Sequence, residues 1–76
     1  MITVKLFGLL RVESGIKEKW LQAASVKEVL QQLQEAGIPK KELAGCVILV
    51  NGRNANKRTK LDDGDQVVLM SPVAGG

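Results

Sequence analysis

Ser25-Val26-Lys27-Glu28-Val29-Leu30-Gln31-Gln32-Leu33-Gln34-Glu35-Ala36-Gly37 is the stretch on which the fold turns. Ser25 is a favourable N-cap, and Glu28 three residues later completes a Ser-x-x-Glu capping box. Val26, Val29, Leu30 and Leu33 recur at helical spacing and make one apolar stripe, while Lys27, Gln31, Gln32 and Glu35 face water. Gly37 can take the left-handed conformation that ends a helix, and Pro39 prevents its resumption. A short turn of 3₁₀ type is expected over Lys40 to Leu43. A helix with one apolar stripe must bury it against something, so the flanking segments decide the architecture.

Both flanks read as strands. Ile2, Val4 and Leu6 alternate with Thr3 and Lys5, the period of a strand with one buried face, and Phe7 falls on the opposite face. The Gly8-to-Gly15 stretch is read as a turn, and Ile16 to Ala23 as a second, less regular strand paired antiparallel with the first. Beyond the helix, Val47 to Val50 is an apolar, β-branched strand closed by Asn51-Gly52, a strong hairpin signal. Arg53 to Asn56 is a short edge strand, Leu61-Asp62-Asp63-Gly64-Asp65 a turn, and Gln66 to Met70 the last strand. Pro72 has no amide hydrogen to donate, so regular pairing ends there.

After a first hairpin the chain must therefore cross a helix over one face and return into the same sheet, by a right-handed crossover. The expected fold is α+β: a mixed sheet of four to five strands with one main helix across it. The similarly apolar first and last strands lie side by side at its centre, which is the β-grasp, or ubiquitin-like, arrangement. Residues 1–72 form this domain, and residues 73–76 form a flexible C-terminal tail ending in Gly-Gly.

The composition narrows the function. The chain has 76 residues, a net charge of +3, no histidine and one cysteine. A zinc site, a Ser-His-Asp triad, a Cys-His dyad and a four-cysteine cluster cannot be assembled from it within one chain. One cysteine makes no internal disulfide, which suits a cytoplasmic protein. No leader precedes the first strand and the longest apolar run, Cys46 to Val50, is far short of a membrane span, so no membrane association is expected. Two aromatics in the whole chain leave little on which to stack bases, so no nucleic-acid partner is expected. No metal site is expected either.

The end of the chain is its most unusual feature. Pro72-Val73-Ala74-Gly75-Gly76 follows the last strand and finishes in a carboxylate with no neighbouring Cβ to block attack. Such a tail is a chemical handle that a partner can activate as an acyl adenylate and pass to a nucleophile. On these residues alone, an inert frayed end and a reactive handle both stay open. Alternation also places Phe7, Val68 and Met70 on the sheet face away from the helix, where no second helix is available to cover them. A contiguous exposed apolar patch marks a protein interface; partial cover by loops or by the Trp20 ring is the alternative. Arg11 is read as a loop residue, facing solvent or steadying the tail or an acidic group of a partner. Arg53, Lys57, Arg58 and Lys60 lie near Asp62, Asp63 and Asp65, so their charges nearly cancel and read as a solvated face. Cys46 reads as a small buried hydrophobe and Trp20 as a cap on one end of the core.

Four segments, in order, carry a resemblance that covers essentially the whole chain. Phe7-Gly8-Leu9-Leu10-Arg11 with Gly15 resembles a Phe-Ala-x-Leu-Arg-Glu-x-x-Gly segment. Val50-Asn51-Gly52 resembles a Val-Asn-Gly hairpin, and Leu61-Asp62-Asp63-Gly64-Asp65-Gln66-Val67 a Leu-x-Asp-Gly-Asp-Glu-Val turn. Pro72-Val73-Ala74-Gly75-Gly76 resembles a Pro-Pro-Val-x-Gly-Gly ending. Together they are similar to the MoaD/ThiS family of ubiquitin-like sulfur carriers, and most to its molybdopterin synthase small-subunit (MoaD) branch. The chain departs from the pattern at Gly8, where Ala is usual, at Val12, where Glu is common, and at Ser71, which replaces the first Pro. The Ala-Gly-Gly end also resembles the CysO-type carrier of cysteine synthesis.

The resemblance implies a carrier rather than an enzyme. A ubiquitin-activating-type enzyme would use ATP to adenylate the Gly76 carboxylate, and a sulfur donor would displace AMP to leave a thiocarboxylate. In molybdenum cofactor biosynthesis that sulfur goes to a pterin precursor within a complex with the large molybdopterin synthase subunit. The chain itself would bind no cofactor, because the ATP site and the catalytic groups belong to partners. A ubiquitin-like modifier conjugated to lysines through Gly76 is the alternative, as is a carrier for cysteine or thiamine synthesis.

Overall fold

A computed structural model describes residues 1–71; the tail reading, on Pro72, Val73, Ala74, Gly75 and Gly76, lies outside the described residues. The expected α+β, β-grasp architecture is present. Strands β1 (Ile2–Phe7), β2 (Glu18–Leu21), β3 (Val47–Val50), β4 (Arg53–Asn54) and β5 (Gln66–Met70) form one mixed sheet in the order β2-β1-β5-β3-β4. The central pair β1 and β5 is parallel, with Val4 opposite Val67 and Leu6 opposite Leu69; every other pairing is antiparallel.

Helix α2 (Val26–Glu35) crosses one face of this sheet. Its N-terminus is capped as its sequence dictates, the Glu28 N–H donating to Ser25 Oγ at 3.4 Å. The reciprocal bond is shifted by one residue: Glu28 Oε1 accepts from the Ala24 N–H at 3.3 Å. Two more free amides, of Val26 and Lys27, donate to the carbonyls of Thr59 and Lys57, so the loop before β5 also closes the helix. Gly37, at φ +110°, turns the chain away.

The core lies between α2 and the sheet. Ile2, Val4, Leu6, Val67 and Leu69 meet Val26, Val29, Leu30 and Leu33, with Leu10, Leu21, Ile38, Leu43 and Leu61 around them. No polar or charged side chain is buried among the described residues.

Several local expectations are corrected. The Gly8-to-Gly15 stretch is not merely a turn but carries helix α1 (Leu9–Ser14), which puts Arg11 on a helix rather than in a loop. Leu10 is its one buried residue, docking the helix on the core. The turn after Pro39 is the α-helix α3 (Lys40–Ala44), anchored by Leu43. The second strand is shorter than expected at both ends, and the edge strand β4 has only two residues. Trp20 does not cap the core. Its neighbour Leu21 pairs with Ile2 and points inward, so alternation sends Trp20 to the other face, where it is 60% exposed opposite Thr3.

Candidate functional site: an open sheet face and the strand that leads to the tail

The face of the sheet away from α2 is assembled by register. Phe7 on β1, Met70 on β5 and Val47 on β3 lie in one row, since Phe7 and Val47 are both paired with Met70. In the next row Lys5, Val68 and Leu49 are aligned in the same way. The three strands are adjacent, so the five apolar side chains make one continuous strip. Phe7 is 40% exposed and Val47 39%, while Leu49, Val68 and Met70 are half-buried by one another. Of the expected interface residues, Phe7, Val68 and Met70 therefore do come together on the open face. Trp20 stands off to one side in the row of Thr3 and does not cover them. Lys5 closes the strip toward β2, held by an ion pair with Glu18 at 3.8 Å.

Helix α1 enlarges this surface in a way that sequence reasoning missed. It follows β1 directly and contacts both β1 and β5. Leu9 and Val12 project from it into solvent, half and three-quarters exposed. Only the helical spacing of Leu9, Val12 and Leu10 signals the element, and the flanking glycines mask it. Arg11 sits among these residues as an exposed cation, with no ion-pair partner among the described residues.

The same end of the sheet delivers the chain to its tail. β5 finishes at Met70, in the middle of the apolar row, and Ser71 follows. The Leu9 N–H donates to Ser71 Oγ at 2.7 Å, tying the last described residue to the start of α1. Gly8 makes room for it. Its backbone, at φ +68° and ψ −144°, is one that other residues rarely adopt, and a β-carbon there would fall 2.5 Å from Ser71 Oγ. A shallow cleft of about 280 Å³ beside this junction is lined by Leu9, Leu10, Ser71 and, from the α3 side, Lys41, Glu42 and Gly45. Glu13 faces the same cleft, and its carboxyl adjoins that of Glu42. Their hydrogen bond, a little desolvation and their mutual repulsion hold the Glu42 pKa above its ordinary value.

Other singled-out residues have structural places. Cys46 is half-buried against the core, its Sγ donating to the Leu43 carbonyl at 2.9 Å, and burial pushes its thiol pKa up. Arg53, Lys57, Arg58 and Lys60 are all exposed and make no ion pair with Asp62, Asp63 or Asp65 among the described residues. Asp63 instead meets the Met1 ammonium group. Asn51 and the Asp62-to-Asp65 turn, two of the signature segments, interlock with each other and lie away from the tail end of β5.

Comparison with known proteins agrees with this geometry. The profile of the ThiS family matches residues 4–76. Comparison with curated proteins gives no match. Among solved structures, a chain in the protein–protein complex of subunits 1 and 2 of molybdopterin-converting factor from Helicobacter pylori is 33% identical. That match covers 99% of this chain and 97% of the other, with a TM-score of 0.76. SAMP1 from Haloferax volcanii is 26% identical over 99% of this chain and 98% of its own, with a TM-score of 0.82. A chain of the BexX/CysO complex from Amycolatopsis orientalis is 25% identical over the full length of both, with a TM-score of 0.77.

Proposed function

The chain belongs to the ThiS family of ubiquitin-like sulfur carriers, and on that premise we propose that Gly76 is its working residue. An adenylating partner of the ubiquitin-activating type binds the open sheet face and receives Pro72, Val73, Ala74, Gly75 and Gly76 in its ATP site. The Gly76 carboxylate attacks the α-phosphorus of ATP and pyrophosphate leaves. A sulfide-level donor then attacks the acyl carbon, AMP leaves with the bridging oxygen, and Gly76 ends as a thiocarboxylate. Two glycines at the reacting end suit a narrow channel and an unobstructed carbonyl.

The chain supplies the acyl group and the docking surface, and its partners supply the acids, the bases and the nucleotide site. The observation that carries this reading is the apolar row Phe7, Met70 and Val47, which borders the point where β5 hands over to the tail. A partner seated on that row receives the chain end without further search.

For the acceptor we favour a pterin precursor, with this chain as the small subunit of molybdopterin synthase and the large subunit as its second partner. The 33% identity to a chain of the subunit 1 and 2 complex supports that choice. A second reading, a modifier joined to lysines through Gly76, is supported by the TM-score of 0.82 to SAMP1.

Intact mass spectrometry after incubation with an adenylating partner, ATP and sulfide tests the proposal. A mass gain equal to exchange of one oxygen for sulfur, lost on deletion of Gly76, is expected. An unchanged mass in both proteins would rule out a carrier. In cells, branched peptides in which Leu61 to Gly76 is joined through Gly76 to target lysines, without thiocarboxylate, would favour the modifier.

A further inference from the structure

Taking the activation of Gly76 as given, we infer that Ser71 is a positioning residue for that reaction. It fixes the place and direction at which the chain leaves the domain, and it holds α1 against the docking row. Three observations meet here. Ser71 Oγ accepts the Leu9 N–H at 2.7 Å, so the start of the tail is tied to a residue 62 positions earlier. Gly8, the N-cap of α1, offers no side-chain acceptor, and the hydroxyl of Ser71 serves a free amide at the start of that helix. Finally, Gly8 leaves open the volume that Ser71 Oγ fills, since a β-carbon there would fall 2.5 Å from that oxygen.

The consequence is mechanical. Helix α1 is six residues long and has one buried side chain, Leu10, so beside that anchor and the solvent-facing Glu13–Glu42 contact the Ser71 bond is the tie at its N-terminal end. Leu9 and Val12 extend the apolar row at the end where the tail departs. One hydroxyl thus sets the relative position of two things a partner must engage at once, the extended apolar surface and the origin of the tail. Without it, docking must first order α1 and the chain exit, which weakens binding of the carrier. The substitution leaves the covalent make-up of Gly75-Gly76 unchanged, so the chemical step, once the tail is seated, keeps its rate.

The test compares wild type, S71A and S71T with a purified adenylating partner by ATP–pyrophosphate exchange, and follows hydrogen exchange at the Leu9 amide by NMR. In S71A, Leu9 exchange should accelerate and KM for the carrier rise on the order of fivefold with kcat unchanged, while S71T restores both. Faster Leu9 exchange with unaltered KM would make the contact a helix cap only and overturn the inference. Unaltered Leu9 exchange in S71A would overturn it too, by removing the bond on which it rests. A fall in kcat at constant KM would also overturn it, since the residue would then act on chemistry. If wild type gives no exchange signal at all, the failure lies with Gly76 activation itself, and the positioning role falls with it.

Discussion

Asn51 Nδ2 donates to Asp65 Oδ1 at 2.9 Å and so joins the β3–β4 hairpin to the turn that launches β5. The same Asn51 side chain accepts the Gln66 N–H through Oδ1 at 3.0 Å, and its own backbone N–H donates to the Gln66 carbonyl at 2.8 Å. Asn51 does this at φ +51°, the one left-handed non-glycine residue among those described, followed by Gly52 at φ +82°. That geometry is a type I′ hairpin turn. Two substitutions separate its roles. N51G and N51A both lose the side-chain bonds, but only alanine adds the cost of a left-handed β-carbon. Chemical denaturation should therefore place N51A below N51G by about 1 kcal/mol. Equal stabilities would mean that the turn relaxes out of the left-handed region.

Asp65 predicts a direction with pH. The Asp62 N–H and the Asn51 amide both donate to its carboxylate, and together they hold its pKa below the ordinary 3.8. A depressed folded-state pKa contributes stability above the unfolded value and loses it as pH falls through the folded one. Wild-type stability should therefore decline with acidification from about pH 4 downward. D65N should decline less over that window. The comparison is made by urea midpoints at matched ionic strength, and parallel curves for the two proteins would remove Asp65 as the cause.

Glu42 works in the opposite sense. Its hydrogen bond to Glu13 raises its pKa first, with desolvation and repulsion by Glu13 adding to it and Lys41 partly offsetting them. A raised pKa gives stability that is complete below the unfolded value and lost as pH rises through the folded one. E42Q should thus lose less stability than wild type as pH is raised from the ordinary value of 4.5. Added salt should shrink the difference, because both carboxyls are solvated. A pH dependence identical in E42Q and wild type would show that the two carboxyls do not share a proton.

These contacts show why the reading of the sequence succeeded unevenly. Helix α2 is legible because its cap, its stripe and its stop are all local, from Ser25 to Gly37. The central β1–β5 pair follows from the apolar character that these two strands share. Helix α1 is not legible because its first amide is served by Ser71, and no window around Gly8 contains that partner. Trp20 is an error of a different kind. The parity of Leu21 already sends it outward, which the reading of Trp20 as a cap on the core overlooks. Of the candidate site, the parity of Phe7, Val68 and Met70 was readable in the strands. Leu9 and Val12 were not, since they project from a helix whose first amide is served by Ser71, 62 positions away.

The two faces of β5 give a direct contrast between folding and docking. Leu69 is fully buried opposite Leu6 and Ile48, whereas its neighbour Met70 lies half-buried on the open face. L69A should cost about 2–5 kcal/mol, a large share of what a domain this small has. On the open face, F7Q should cost at most about 1.5 kcal/mol, because Phe7 is already partly solvated. Binding to the adenylating partner proposed above should respond in the reverse order, F7Q weakening it strongly while any L69A that remains folded binds normally. Equal affinities of F7Q and wild type in a titration would remove the sheet face as the docking surface.

Trp20 offers a label on this surface, since it is the one tryptophan in the chain. Its ring is 60% exposed on the edge strand β2, in the row of Thr3 and Gln66 and two rows from Phe7. The folded protein should therefore emit at the long wavelength of a hydrated indole, and iodide should quench it readily. W20F should change stability by less than about 1 kcal/mol, as expected of a side chain that gives up little contact. A partner that covers the row of Phe7, Met70 and Val47 and extends across β1 should shift the emission to shorter wavelength and protect the ring from iodide. A blue-shifted, unquenchable emission from the isolated chain would mean that Trp20 is buried, and would reverse the orientation of β2.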